Sequence, residues 1–280
     1  MTQNNESFYK KYIKYKTKYI KLQTHIKRTQ KGGTIICGKC NSLECLKEVD
    51  CLFYSISSLP DESIFINETL YGDETKESKE SELIVIPGFS TSSYERNYST
   101  LFEYYDTKLN INNFTKVHLI KFRDDAEISI KKLHDSFFGP GNEIKDINLE
   151  NKLYEKCAQI IKKKLDLNNK YTILGKSAGG GVSLCLSQLI PSNVSKLYLF
   201  APGVKYLANY FHTLELPQDK IYVGWNLDDT KVKMEQIWPK LKPLMPGVEV
   251  NQYYKNIYNQ VDTQHEINTE FIKLINSNSN

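Results

Sequence analysis

The sequence is poor in arginine. Only three of its 37 basic residues are arginines, Arg28, Arg96 and Arg123, and the others are lysines. Proteins that read a nucleic-acid sequence depend on the forked arginine side chain to hold guanine and phosphate. The scarcity of arginine therefore predicts no sequence-specific nucleic-acid partner.

The sequence also lacks the apolar runs that mark membrane and secretory segments. It contains no stretch of about 18 apolar residues, which a membrane-spanning helix would need. The first 30 residues are polar and basic and have no apolar signal-peptide core. We therefore expect no transmembrane segment, and an intracellular location rather than secretion.

The composition is otherwise that of a globular protein. The chain has 280 residues, of which 40% are hydrophobic and 25% charged, and its net charge is +4. These values exclude wholesale disorder and fibrous structures. The length allows one large domain or two small ones.

Residues 8–26 have the spacing of an amphipathic helix. Apolar side chains recur every three or four positions, and lysines occupy the other faces. The apolar positions are Phe8, Tyr12, Tyr15, Tyr19, Leu22 and Ile26. Such a stripe favours docking on the main domain, self-association or peripheral binding to an anionic membrane. Gly32-Gly33 ends the segment, so we predict a basic leader helix over 1–32 and a main domain over 33–280.

The leader has a resemblance of its own. The stretch FYKKYIKYKTKYIKL, from Phe8 to Leu22, resembles a leader that recurs at the N-termini of mimivirus-like giant-virus proteins of unrelated function. The resemblance implies a viral source, with a location in the host cytoplasm or the virion. It implies nothing about chemistry.

Four cysteines, Cys37, Cys40, Cys45 and Cys51, lie within fifteen residues. Cys37-Gly-Lys-Cys40 has the form of a zinc knuckle, but no second CxxC pair follows. Because structural zinc sites usually combine two tight pairs, reduced thiols are favoured and zinc stays an alternative. We predict no metal and no organic cofactor.

Short apolar strands alternate with amphipathic helices from residue 83 onwards. The predicted strands are Cys51–Ser57, Ser63–Thr69, Leu83–Ile86, Val117–Phe122, Tyr171–Leu174, Leu197–Phe200, Ile221–Val223 and Val248–Tyr253. The predicted helices are Tyr94–Leu109, 146–165, Gly179–Ile190, Val232–Leu244 and Glu266–Ile275. This alternation predicts an α/β fold with a mostly parallel central sheet and helices on both faces. The first two strands are expected to extend one edge as an antiparallel pair.

The segment Gly175-Lys-Ser177-Ala-Gly179 has the pattern G-x-S-x-G, after an apolar strand and before a helix of small residues. In this context the pattern is typical of a nucleophile on a tight strand-to-helix turn, where larger residues two positions away would clash. The helix N-terminus then points free N–H groups at a developing oxyanion. A phosphate-binding loop is the alternative, but it requires a Lys-Ser/Thr pair that does not follow these glycines.

From about residue 83 to 275 the chain resembles the α/β-hydrolase superfamily. The superfamily orders its catalytic triad as serine, acid and histidine along the chain. The resemblance implies Ser177 as nucleophile and His265, before the last helix, as base. The acid is Asp228 or Asp229. The spacing Asp-x-x-Val to Val232 favours Asp229.

The resemblance also implies an oxyanion hole and a small or absent lid. Its donors are the N–H groups of Ala178 and Phe89, although Pro87 stands where relatives carry histidine. About 20 residues separate Phe200 from Ile221, too few for a large lid. Five aromatic residues are candidates for an acyl pocket, although such spacing is also typical of core. They are Phe137, Phe138, Tyr206, Tyr210 and Phe211.

The expected activity is hydrolysis of a carboxylic ester, from a small molecule or a lipid, through an acyl-enzyme. An acyltransferase or thioesterase with the same triad is one alternative. A non-catalytic hydrolase fold that serves as a binding or virion protein is another.

Deleting residues 1–32 tests the predicted domain boundary. The leader contains no triad candidate, so kcat on a short soluble ester should stay within about threefold. Self-association or retention on anionic vesicles should weaken instead, and vesicle retention should fall with salt because surface charge is screened. A truncated protein that folds but loses most of its turnover would place the leader in the active site.

Overall fold

The computed structural model describes residues 55–72, 81–103, 107–124, 129–138, 147–204, 214–253 and 265–279. The leader over 1–32 and the four clustered cysteines lie outside these ranges. The leader helix, the domain boundary and the state of these cysteines therefore stay predictions. The segment proposed as a small lid also lies largely outside them.

Seven strands form one sheet in the order β1-β3-β2-β4-β5-β6-β7. The strands are β1 (Ile64–Tyr71), β2 (Glu82–Ile86), β3 (Lys116–Phe122), β4 (Tyr171–Lys176), β5 (Val194–Phe200), β6 (Ile221–Asn226) and β7 (Val250–Tyr253). β1 is antiparallel to β3, and all other pairs are parallel. Every residue of β2 and of β4 is buried, so both faces of the sheet are covered.

Six α-helices accompany the strands in the described residues. They are α1 (Thr91–Phe102), α2 (Ile130–Phe138), α3 (Ile147–Lys162), α4 (Ala178–Leu189), α5 (Met234–Leu241) and α6 (Thr269–Asn278). Helices α3 and α4 pack closely, because a Cβ at Gly181 would lie 2.4 Å from the Tyr154 ring. Among the described residues, no helix is long and apolar enough to cross a bilayer.

The prediction was wrong in three places. Ser55–Ser57 are helical rather than part of a strand, so the described sheet has one antiparallel edge strand instead of two. The helix expected over Tyr94–Leu109 covers Thr91–Phe102, where Ser90 caps its N-terminus. Helix α2 was not predicted. A helical segment as short as Ser55–Ser57 carries too little periodicity to separate helix from strand.

Strands β4 and β6 continue past their apolar runs. Lys176 pairs with Phe200, and Asn226 pairs with Tyr253, so neighbouring strands hold these polar residues in the sheet. The extension places the chain segments that follow β4 and β6 at one edge, where the carboxyl ends of parallel strands meet. Ligand sites of open α/β sheets lie at this edge.

Candidate active site

Ser177 occupies a strained turn between β4 and α4. Its φ is 56° and its ψ −129°, which is unusual for a residue with a side chain. The backbone is held by three hydrogen bonds. The Ser177 N–H donates to Phe200 O (3.1 Å), and Ser177 O accepts from the N–H groups of Gly180 (2.8 Å) and Gly203 (2.7 Å).

The two glycines of the G-x-S-x-G pattern are required by close packing. A Cβ at Gly175 would lie 2.2 Å from Ser183 Oγ, and a Cβ at Gly179 would lie 2.2 Å from the carbonyl oxygen of Ile86. The first side-chain atom of any larger residue at position 175 would therefore collide with α4, and at position 179 with the end of β2. The pattern thus reflects the close approach of helix and sheet beneath Ser177.

The predicted acid and base are in contact. His265 Nδ1 hydrogen-bonds Asp229 Oδ2 at 2.6 Å. The other Asp229 oxygen accepts the N–H groups of Lys231 (2.9 Å) and Val232 (3.0 Å). The Asp229 side chain is fully buried and that of His265 is 11% exposed. The carboxylate therefore fixes the imidazole on one side and its own loop on the other.

Asp228, the alternative acid, makes no hydrogen bond to His265 in the described structure, whereas Asp229 does. One of its oxygens, Oδ1, is buried and has no hydrogen-bond partner among the described residues. The geometry therefore favours Asp229 over Asp228 as the partner of the base.

A buried ion pair connects the neighbours of Ser177 and His265. Lys176 Nζ lies 2.5 Å from Glu266 Oε2, and the two side chains are 4% and 7% exposed. Burial lowers the pKa of Lys176, while the facing Glu266 carboxylate favours the charged form. Arg96 Nη1 lies 4.0 Å from the other Glu266 oxygen. The sequence analysis missed this pair, because no spacing rule connects residues ninety positions apart.

Asparagine side chains fasten the same segment to β6. Asn226 Nδ2 donates to the carbonyl oxygen of Glu266 (2.8 Å), and Asn268 Nδ2 donates to Asn226 Oδ1 (3.1 Å). Asn268 also caps α6 by accepting the N–H of Glu270. The residues that follow His265 are therefore held against β6, which fixes the backbone on that side of the imidazole.

The Ser177 hydroxyl, in contrast, makes no hydrogen bond to His265. The imidazole contacts Asp229 instead. In free enzymes the nucleophile–base contact is often long and tightens only around bound substrate. The structure thus joins two of the three triad candidates and places the third at the same edge of the sheet.

Both predicted oxyanion donors lie near Ser177 with their N–H groups unused. Neither Ala178 nor Phe89 donates a backbone hydrogen bond within the described residues. Ala178 is the first residue of α4, where no intrahelical acceptor exists. A Cβ at Gly88, next to Phe89, would lie 3.8 Å from Ser177 Cβ. The loop after β2 therefore packs against the turn, as the predicted oxyanion hole requires.

Ser177 opens into a cavity of about 300 Å³. Its floor includes Ala178 and Gly203, and one wall is formed by the loop after β6 and by helix α5. The five aromatic residues proposed for an acyl pocket stay predictions, because Tyr206, Tyr210 and Phe211 lie outside the described ranges and the side chains of Phe137 and Phe138 are not described. A larger cavity of about 600 Å³ lies beside Phe65 and Lys121, and its described lining residues include no serine, cysteine or histidine.

The described residues contain two cysteines that could act as a different nucleophile, and neither has the surroundings of a reactive thiol. Cys157 and Cys185 are buried, and burial raises the pKa of both thiols. Reactive cysteines instead have lowered pKa values and access to solvent. The described residues contain no group of three or more His, Cys, Asp or Glu that could hold a metal ion.

The chain has the α/β-hydrolase fold. A mostly parallel sheet with an antiparallel strand at one edge, and a serine on the strand-to-helix turn at its centre, defines this fold. The predicted fold class is therefore confirmed. Triad and oxyanion assignments stay predictions whose geometry is described above.

Comparisons with known proteins find solved structures that are similar to this chain at low sequence identity. No protein-family model and no curated protein matches the sequence. A predicted CIB-like hydrolase from Thermoplasma acidophilum is 15% identical, covers 76% of this chain and 94% of its own, and has a TM-score of 0.45. Dienelactone hydrolase from Anabaena variabilis is 12% identical, with 76% and 92% covered and a TM-score of 0.45. Est1E from Butyrivibrio proteoclasticus, solved with ferulic acid, is 14% identical, with 75% and 92% covered and a TM-score of 0.46.

Breaking the Lys176–Glu266 ion pair tests how firmly it holds the two segments. Lys176→Met leaves the Glu266 carboxylate buried without this cation and should lower the free energy of unfolding by about 3 kcal/mol. The double change Lys176→Met/Glu266→Leu should cost clearly less than the sum of the single changes, because neither charge is left alone. Urea denaturation of the four proteins measures this coupling.

An exposed ion pair is the matched control. Lys273 and Glu270 lie 2.7 Å apart, with side chains 55% and 57% exposed. Lys273→Met should therefore cost less than about 1 kcal/mol. Equal costs for Lys176→Met and Lys273→Met would contradict a structural role for the buried pair.

Proposed function

We propose that the protein is a serine hydrolase that cleaves a carboxylic ester with Ser177 as nucleophile, His265 as base and Asp229 as orienting acid. The observation that carries this proposal is the buried Asp229–His265 hydrogen bond at the sheet edge where Ser177 occupies its strained turn. The Lys176–Glu266 contact supports it, because it connects the chain neighbours of nucleophile and base.

The first half of the reaction acylates the serine. Because Asp229 holds Nδ1 of the imidazole, Nε2 is the nitrogen left to accept the Ser177 proton. Ser177 Oγ bonds to the ester carbonyl carbon, and the carbonyl π electrons move to the oxygen. When the tetrahedral intermediate collapses, the bond to the alcohol breaks and the alcohol leaves with the proton from His265.

The second half restores the enzyme. Water gives a proton to His265 and attacks the acyl-enzyme, and the carboxylic acid leaves as Ser177 takes its proton back. The N–H groups of Ala178 and Phe89 would hold the oxyanion in both halves. Fixed donors of this kind are worth about 3 kcal/mol each in related chemistry.

The rival activities differ only in the acceptor or the leaving group. An acyltransferase gives the acyl group to an alcohol or amine, and a thioesterase releases a thiol. Chromatography of the products, with and without an added alcohol acceptor, separates transfer from hydrolysis. A non-catalytic fold would form no acyl-enzyme at all.

Ser177→Ala tests the nucleophile. The variant should lose hydrolysis of activated esters and covalent labelling by a fluorophosphonate, because no other serine occupies the strained turn. Stability should stay within about 1 kcal/mol, since only one hydroxyl is removed and it makes no hydrogen bond to any described residue. Ser192→Ala, at an exposed serine, is the control and should label normally. Labelling of Ser177→Ala at the wild-type level would place the nucleophile elsewhere.

Asp229→Asn and Asp228→Asn together test the acid. Asparagine at 229 can hold the imidazole in the wrong tautomer, so kcat should fall by about 10⁴. Asparagine at 228 should change kcat less than about tenfold, because Asp228 makes no hydrogen bond to His265 in the described structure. Steady-state kinetics on one activated ester gives both values. The opposite ranking would show that Asp228 orients the base.

A further inference from the structure

We propose that the cavity above Ser177 is built for an ester that carries a negative charge near its reacting carbonyl. The inference names a substrate class for the same site and therefore rests on the proposed function. The structural basis is a wall of three lysines, Lys231, Lys233 and Lys240, on one side of the cavity. This set is called the lysine wall below.

The lysine wall forms a continuous surface. Lys233 precedes α5, and the cavity-lining residues that follow are Gln236, Ile237 and Lys240. Positions spaced by three or four lie on one face of a helix, so this face of α5 is turned toward the cavity. Lys231 extends the same side into the loop after β6. All three lysines are exposed.

The backbone that carries the wall is fixed by the site itself. Asp229 Oδ1 accepts the N–H of Lys231 and of Val232, and Trp225 Nε1 donates to Val232 O at 2.6 Å. Lys231 and Lys233 therefore flank Val232, whose backbone is held by hydrogen bonds on both its N–H and its carbonyl oxygen. The same carboxylate that orients the base therefore fixes the backbone from which these two side chains extend.

Two of the three lysines of the wall carry a charge that no described carboxylate neutralises. Within the described residues, neither Lys231 nor Lys233 has a carboxylate within ion-pair distance, whereas Lys176 below them is paired with Glu266. The one acidic lining residue, Glu150, is 1% exposed and belongs to helix α3 with Tyr154. A soluble anion therefore meets lysines at the accessible side of the cavity.

The size of the cavity and the chemistry of lysine limit the class of ligand that fits the site. A volume of about 300 Å³ is at the small end of ligand pockets. Lysine offers a point charge without the planar fork by which arginine selects carboxylate or phosphate. The inferred substrate is thus a small ester with an anionic group, and a carboxylate serves as the probe.

Two esters with the same acyl chain and leaving group test the inference. They are 4-nitrophenyl hemiadipate, which carries a free carboxylate, and methyl 4-nitrophenyl adipate, which is neutral. On the wild-type chain, kcat/KM should be about tenfold higher for the charged ester at low ionic strength. This preference should shrink in about 0.5 M salt, where the Debye length falls to a few ångströms. Equal values, or a preference for the neutral ester, would overturn the inference.

A matched pair of triple variants locates the effect. Lys231→Gln/Lys233→Gln/Lys240→Gln removes the wall. The control Lys108→Gln/Lys164→Gln/Lys170→Gln removes three exposed lysines from connections that lead into the amino ends of β3 and β4. Both variants change the net charge equally. The ratio of the two kcat/KM values should fall to about one in the first and stay near wild type in the control. A ratio unchanged in the first variant, or equally reduced in both, would overturn the inference.

Two measurements on the wild-type chain do not depend on whether a variant folds. They also distinguish a failure of this inference from a failure of the proposed function. Adipate should inhibit hydrolysis of the neutral ester competitively and in a salt-dependent way, whereas adipamide, which is uncharged and contains no ester, should not; equal inhibition by both would count against the lysine wall. If the neutral ester is cleaved through Ser177 without any preference for charge, the substrate class is wrong and the hydrolase proposal stands. If neither ester is cleaved and no fluorophosphonate label forms, both proposals fail.

Discussion

Helix α4 packs so closely on the sheet, on the loop after β5 and on α3 that four backbone positions around the turn admit no Cβ. At each, an added Cβ would lie 2.7 Å or less from another atom; the four are Gly175, Gly179, Gly180 and Gly181. This close approach leaves Ser177 in a conformation that its own side chain disfavours. The surroundings compensate by satisfying both the N–H and the carbonyl oxygen of Ser177. Because these four residues are glycines, the N-terminus of α4 can approach the serine closely. The rest of the site is arranged around Ser177.

A second level of organisation is electrostatic. Lys176 extends β4 into the interior, and its burial is tolerated because Glu266 lies against it. That contact and the Asn226 bond to the Glu266 carbonyl fix the turn that carries His265. The predicted base therefore depends on two strands, β4 and β6, in addition to its bond with Asp229. The chain neighbours of Ser177 and His265, which are far apart in the sequence, share one buried ion pair.

The sequence predicted those features that follow from local spacing. The Asp-x-x-Val pattern selected Asp229, and the structure supplies a reason: this carboxylate accepts the N–H groups of the second and third residues after it, ending at Val232. The Lys176–Glu266 pair was out of reach, because a lone lysine within a motif looks like any surface lysine until the strands are assembled. The helical Ser55–Ser57 segment was misread because three residues carry no period. Local pattern fixes elements and motif positions, whereas pairing across the sheet decides which charges meet.

The lysines on the two sides of the Ser177 turn have different roles. Below Ser177 the Lys176 charge is buried and matched by a carboxylate, so it orders protein and leaves little field for a ligand. Above it, Lys231 and Lys233 stay exposed and have no carboxylate partner among the described residues, so their field extends into the cavity. Asp229 separates the two regions, because its buried carboxylate holds both the imidazole and the backbone of Lys231. A single acidic side chain therefore couples the orientation of His265, the predicted base, to the backbone position of Lys231, whose charge the proposed anionic substrate would meet.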